Sequence, residues 1–192
     1  MYQGPPIADF EILDRLPAAY RDLLTQVNGY VAYHGGLHVR GACQEPEWHS
    51  LRVAWDGPRA FHRLYSAVLP TDLPFAQDAL GDQFLLRGGV VHRLEGETGE
   101  VKSLGVGLAD FDAAVRADPV EYLALQPLER FRGEGGLLEP GQLLNAYPPF
   151  CVAESGTGVS LRAIPAQERI SFLASFAAQI HDLPPGAIKV RP

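Results

Sequence analysis

Between Gln83 and Leu104 short β-prone runs alternate with glycine turns, and no other stretch narrows the fold as much. Residues 83–87, 90–94 and 100–104 each read as a short strand. Gly88-Gly89 is a two-residue hairpin turn, because glycine accepts the positive φ that a tight hairpin demands. Glu95-Gly96-Glu97-Thr98-Gly99 makes a longer second turn. Three hairpin-connected strands form an antiparallel meander, and a meander needs a helical layer on one face.

The helices are supplied from both sides. Leu16, Tyr20, Leu23, Leu24 and Val27 follow helical spacing, with Pro17 in the first turn and Asn28-Gly29 as the stop. A shorter helix is expected over 7–13. Phe61, Leu64, Tyr65 and Val68 give a second buried helical face after the turn Asp56-Gly57-Pro58. Leu108, Phe111 and Val115 give a third, and Asp118-Pro119-Val120-Glu121 is a capped helix start. The last helix is expected over 165–181, with Ile170, Leu173, Phe176, Ala177 and Ile180 inward. Further strands are expected at 37–39, 51–55, 150–154 and 159–164. A short helical piece is expected at 142–147, and an extended connection between Pro70 and Pro74. Gly133 to Gly136 is a flexible break, but about 55 residues after it are few for an independent core. The expectation is one α+β domain over 1–192, with a C-terminal strand-strand-helix extension from about residue 130.

Composition removes several function classes. The net charge is −7, and gripping nucleic-acid phosphates needs a basic face, so no nucleic acid is expected as partner. No apolar run reaches the roughly 20 residues of a membrane helix, and residues 1–6 lack the basic-then-apolar pattern of a secretory leader. The two cysteines, Cys43 and Cys151, are too few for a disulfide framework, so a reduced cytoplasmic setting is expected.

Chemistry-bearing patterns are sparse. His34 and His38 are four apart, with Cys43 and His49 following, but Gly35-Gly36 between them breaks a helical metal pair, and no supporting ligand pattern follows. Ser155 lacks the flanking glycines of a nucleophile elbow, and Cys151 sits between apolar Phe150 and Val152. Asp78 and Asp82 are four apart and read first as turn organisers. Gly105-Val106-Gly107 and Gly156-Thr157-Gly158 lack the remaining residues of a phosphate loop. No cofactor, metal site or catalytic residue is expected. Trp55 is expected in the core, while Trp48 is a candidate surface aromatic.

Three segments together resemble the SUKH superfamily, the Smi/Knr-like proteins. They are Leu16-Pro17-Ala18-Ala19-Tyr20-Arg21 through Leu23-Leu24 to Asn28-Gly29, then Leu73-Pro74-Phe75-Ala76-Gln77-Asp78 with Gly81-Asp82-Gln83-Phe84, then Val90-Val91-His92-Arg93-Leu94 with Gly99-Glu100-Val101. The resemblance covers about residues 7 to 125; the segment between Gly29 and Leu73 follows it loosely. It implies a central antiparallel sheet flanked by helices. It also implies a bacterial immunity-type protein that neutralises a cognate toxin domain, often a nuclease, by stoichiometric binding. The family supplies no catalytic residue. Acidic side chains would complement a basic partner, which makes Asp72, Asp78, Asp82, Glu95, Glu97 and Glu100, with Trp48, the candidate contact residues. A different class is a small-ligand sensor or hydrolase, with a pocket between sheet and extension near His34, His38, Cys43 and Trp48. A homodimeric scaffold is a third; the sequence leaves the oligomeric state open.

Overall fold

A computed structural model describes residues 1–181. In chain order the elements are β1 (Tyr2–Gln3), α1 (Phe10–Asp14), α2 (Ala18–Gln26), β2 (Tyr30–Ala32), β3 (Leu37–Val39), α3 (Leu51–Trp55), α4 (Phe61–Leu64) and β4 (Leu73–Asp78). Then come β5 (Gln83–Arg87), β6 (Val90–Leu94), β7 (Val101–Ser103), α5 (Leu108–Ala117), α6 (Pro119–Tyr122), α7 (Gln126–Gly133), β8 (Gln142–Tyr147), β9 (Ser160–Pro165) and α8 (Ala166–Ile180).

The fold is α+β. β1 to β7 form one antiparallel sheet in sequential order, and β8 and β9 pair as a separate two-stranded sheet. The expected meander is its β5–β6–β7 portion. Gly88 and Gly89 turn the hairpin at φ +57° and +85°, as a type I′ turn requires. The sheet extends further toward the N-terminus than the sequence suggests. β1 and β2 are too short to carry an alternation signal, and β4, only the first two residues of which fall within the expected extended connection, lies between β3 and β5.

Strand alternation gives the sheet two different faces. Leu37, Val39, Phe84, Leu86 and Val91 point to the first, where α2 and α5 cover them in the main core. Tyr20, Phe75, Phe84 and Phe111 meet there edge to face or tilted, Phe84 and Phe111 with centroids 4.7 Å apart. On the second face Leu85 and Leu94 pack against Ala54, Phe61, Tyr65 and Val68, and against Ala174 and Ala177 of α8. The C-terminal extension therefore roofs the second face.

Three local expectations are corrected. Residues 51–55 are helix, not strand: Ser50 caps them by accepting from Val53 N, and Arg52 reaches back to Asp9 at 2.5 and 2.7 Å. Residues 142–147 are strand β8, not helix, because Ser160–Pro165 pairs along their whole length. Residues 150–154 are not a strand, since a 3₁₀ turn begins at Ala153. α6 is capped by Asp118 accepting from Glu121 N, as expected, whereas α2 starts at Ala18 and Pro17 is its N-cap instead of lying in its first turn.

Asn28 does more than end a helix. Its side chain donates to Pro5 O at 2.8 Å and accepts from Ala42 N at 2.7 Å, pinning the N-terminal segment to the loop after β3.

Candidate functional site

The second face of the sheet carries a buried polar stripe. His38, Gln77 and Gln83 lie on neighbouring strands in cross-strand register, and Arg40 follows β3 on the same side. All four are buried.

Arg40 is the centre of this stripe, and its side chain is satisfied by the sheet's own irregularity. The register of β4 against β5 shifts between Pro74 and Ala76, which frees backbone carbonyls. Arg40 Nη1 donates to Pro74 O at 2.8 Å and more weakly to Ala76 O at 3.4 Å. Nη2 donates to Gln77 Oε1 and Gln83 Oε1, both at 2.6 Å. Every acceptor is neutral. Burial pulls the Arg40 pKa down to about 10. The guanidinium lies 5.2 Å from the Phe61 ring centroid.

Beside Arg40, two histidines stack with ring centroids 5.1 Å apart. His49 Nε2–H donates to Asn28 O at 2.9 Å, which leaves His49 Nδ1 as an acceptor for Nε2–H of His38 at 2.8 Å. The chain of bonds fixes the His49 tautomer with its Nδ1 unprotonated, so His49 is neutral, and makes His38 the donor through Nε2–H. Burial is the main cause lowering both pKa values, with the Arg40 charge adding to it. Room for His49 comes from three glycines: a Cβ at Gly4, Gly29 or Gly41 would stand 2.3, 2.7 or 2.8 Å from its ring. Trp48 and Tyr2 close the cluster, with Trp48 5.1 Å from both His38 and Tyr2. Gly141, in the extension, lies against the Trp48 indole.

Two spaces open from this region. One, about 10 Å³, lies between His38, Trp48 and residues 139–143, and holds no more than a water molecule. The other, about 90 Å³, lies between α3, α4 and α8, with Arg40, Trp48, Val53, Ala54, Phe61 and Ile170 in its wall.

The other candidates are distributed differently. His34 is exposed at φ +56°, and buried Cys43 lines neither space, so the proposed four-residue pocket is reduced to His38 and Trp48. The Cys43 thiol is raised to about 11, mainly by burial. Trp55 is half-buried, donating to Pro70 O and stacked against Arg15.

The acidic residues are mostly internal. Asp72 and Asp78 are each 1% exposed. Asp72 takes a two-pronged bond from Arg87 at 2.8 and 2.6 Å. Asp78 Oδ1 accepts from the N–H groups of Leu80, Gly81 and Asp82, and its other oxygen accepts from Arg93 at 2.7 Å. Burial, then the Asp82 charge, pushes Asp78 up to about 7, while Arg93 holds it down. Asp82 bonds Arg93 and Gly96 N. These three carboxylates organise turns and present little charge outward. Glu95 pairs with Lys102, which exposed Glu100 also approaches. Glu97 joins Arg169 at 3.5 Å and accepts from Cys151 N at 2.9 Å, tying the second meander turn to the extension.

Arg169 is fully buried and also donates to Leu80 O and to Asn145 Oδ1. The extension carries three exposed aromatics that sequence reasoning missed: Tyr147, Phe150 and Phe172, at 50%, 40% and 42% exposure. Phe172 lies 5.7 Å from the guanidinium and stacks on Phe176. Tyr147 shares a β8 face with Asn145, and Phe150 adjoins Cys151. Phe172 was detectable, since it falls off the inward stripe of α8.

The candidate nucleophiles have ordinary surroundings. Burial, then Glu97, raises the Cys151 thiol to about 11. The Ser155 hydroxyl lies 2.7 Å from Val152 O and 3.1 Å from Phe150 O. Among the described residues no group of three or more His, Cys, Asp or Glu is placed to hold a metal, and no helix is long and apolar enough to cross a membrane.

No family model matches the chain, and no curated protein does. Among solved structures it is similar to Atu4351 from Agrobacterium tumefaciens. The TM-score is 0.54 at 12% identity, over 90% of this chain and 84% of that one. That likeness is one of fold.

Proposed function

We propose that this chain is a non-catalytic protein-binding domain that works by stoichiometric association with a basic partner domain. In the immunity-type reading implied by the Smi/Knr-like resemblance, that partner is a cognate bacterial toxin domain such as a nuclease. The observation that carries the reading is the exposure of three aromatics on the extension, Tyr147, Phe150 and Phe172, with Phe172 beside the buried Arg169 that bonds Asn145 and Glu97. Exposed aromatics on a fixed framework are the usual anchors of protein interfaces. The net charge of −7 favours a basic partner and speeds encounter with it.

This placement moves the contact surface from the acidic residues of the central sheet to the extension. Asp72, Asp78 and Asp82 support the fold, and Glu100 and Trp48 remain peripheral contributors. The test is to mix the purified chain with the product of the gene encoded beside it. A 1:1 complex that weakens in Phe172→Ser and Tyr147→Ser supports the reading. Lack of a complex, or one indifferent to both substitutions, removes it. Light scattering over a dilution series separates this from a homodimeric scaffold, which would keep its mass without a partner.

A further inference from the structure

Arg40 differs from the other internal arginines. Arg52, Arg87, Arg93 and Arg169 each meet a carboxylate. Arg40, 2% exposed, meets none among the described residues. A guanidinium has five N–H donors. The four on Nη1 and Nη2 are taken by neutral carbonyl and amide oxygens, and Nε–H has no acceptor among the described residues. A buried cation without a counter-charge is costly. Clamping the β4 bulge explains the four engaged donors but not the unbalanced charge.

The side chain forms part of the wall of the 90 Å³ pocket, whose other walls are chiefly apolar. The mouth carries Gln167 and Ser171 of α8, and Arg59, which pairs with Glu47 at 2.9 Å. A cation that meets no carboxylate among the described residues, in the wall of a chiefly apolar slot, suits a monoanion with a hydrocarbon body. A phosphate, with more oxygens to satisfy, would need more donors than the slot offers.

We infer that this pocket binds a small organic carboxylate, its head on Arg40 and its hydrocarbon chain between Val53, Ala54, Leu64 and Ile170. The pocket has none of the three exposed aromatics in its lining and goes beyond the protein-binding reading, so either stands if the other fails.

The test is calorimetric titration of the full chain with straight-chain carboxylates from acetate to octanoate, against the alcohols of equal length. The expected result is saturable 1:1 binding that is best at an intermediate length. The carboxylate should bind at least about tenfold more tightly than its alcohol, as a charge-assisted bond implies. Ser171→Trp, at an exposed helix position, plugs the mouth without touching Arg40 and should abolish binding. Arg40→Met should erase the preference for carboxylate over alcohol. Should Arg40→Met fail to fold, Ser171→Trp and the alcohol series still decide. Equal affinity for alcohols, binding undiminished in Ser171→Trp, or no saturation by about 10 mM overturns the assignment.

Discussion

The two faces of the central sheet come from the same strands, yet they do different work. Toward α2 and α5 the alternate residues Leu37, Val39, Phe84, Leu86 and Val91 are apolar and enclosed. Toward α3, α4 and α8 the intervening residues include His38, Arg40, Gln77 and Gln83, equally buried but hydrogen-bonded. The first face gains stability in proportion to apolar area removed from water. The second spends part of that gain on desolvating polar groups, and returns a fixed network with a charge at the edge of a pocket.

The largest effect should come from the apolar face. Phe84→Ala removes a fully buried ring packed against Phe75's partner Phe111, and is expected to cost about 3–5 kcal/mol in urea denaturation. Arg40→Met should cost less, about 1–3 kcal/mol. It strands the Pro74 carbonyl and two glutamine side chains, but it also removes a buried charge, and the second term offsets part of the first. If Arg40→Met proves as damaging as Phe84→Ala, the polar face is a stability element and the contrast between the faces fails.

The first face was readable from local sequence and the second was not. Gly88-Gly89 and the alternation in 83–94 specify the meander without help from distant residues. Leu37-His38-Val39-Arg40 also alternates, but a polar residue on a strand reads as solvent-facing unless a cover is known. The cover here is α8, some 130 residues later in the chain, with α3 and α4. The same dependence explains the misread elements. Residues 51–55 are held as helix by Ser50 and by Arg52 on Asp9, and 142–147 as strand by pairing with β9. Asp78 and Asp82 were legible as turn residues, whereas their pairing with Arg93 on β6 was not.

A smaller effect distinguishes the faces by pH. His38 and His49 are neutral in the folded chain and both pKa values are lowered, so below about 6.5 the unfolded chain binds protons that the folded one refuses. Stability from these rings is complete above about pH 6.5 and falls as pH drops from there toward the lowered folded values. From pH 6.5 to 5.5 each histidine should cost at most about 1 kcal/mol, His38 the more, seen as a lower denaturation midpoint. His38→Gln should retain less of that slope than the parent chain. An unchanged slope would mean that the stacked pair is not the group responsible.

The smallest effect on stability belongs to the surface outside both faces. Phe172 contributes to neither buried cluster, so Phe172→Ser should change the denaturation midpoint by no more than about 0.5 kcal/mol in free-energy terms. Its neighbour Phe176, stacked on it, keeps its own place on α8. Arg169 retains its bonds to Asn145, Leu80 and Glu97, so the framework beneath the substituted ring stays intact. A hot-spot aromatic of this kind should nonetheless weaken partner binding by about tenfold or more. A stability loss approaching that of Phe84→Ala would place Phe172 in the core of the extension instead, and the aromatic group would lose its standing as a contact surface. Unchanged stability with weakened association is what separates a recognition surface from either face of the sheet.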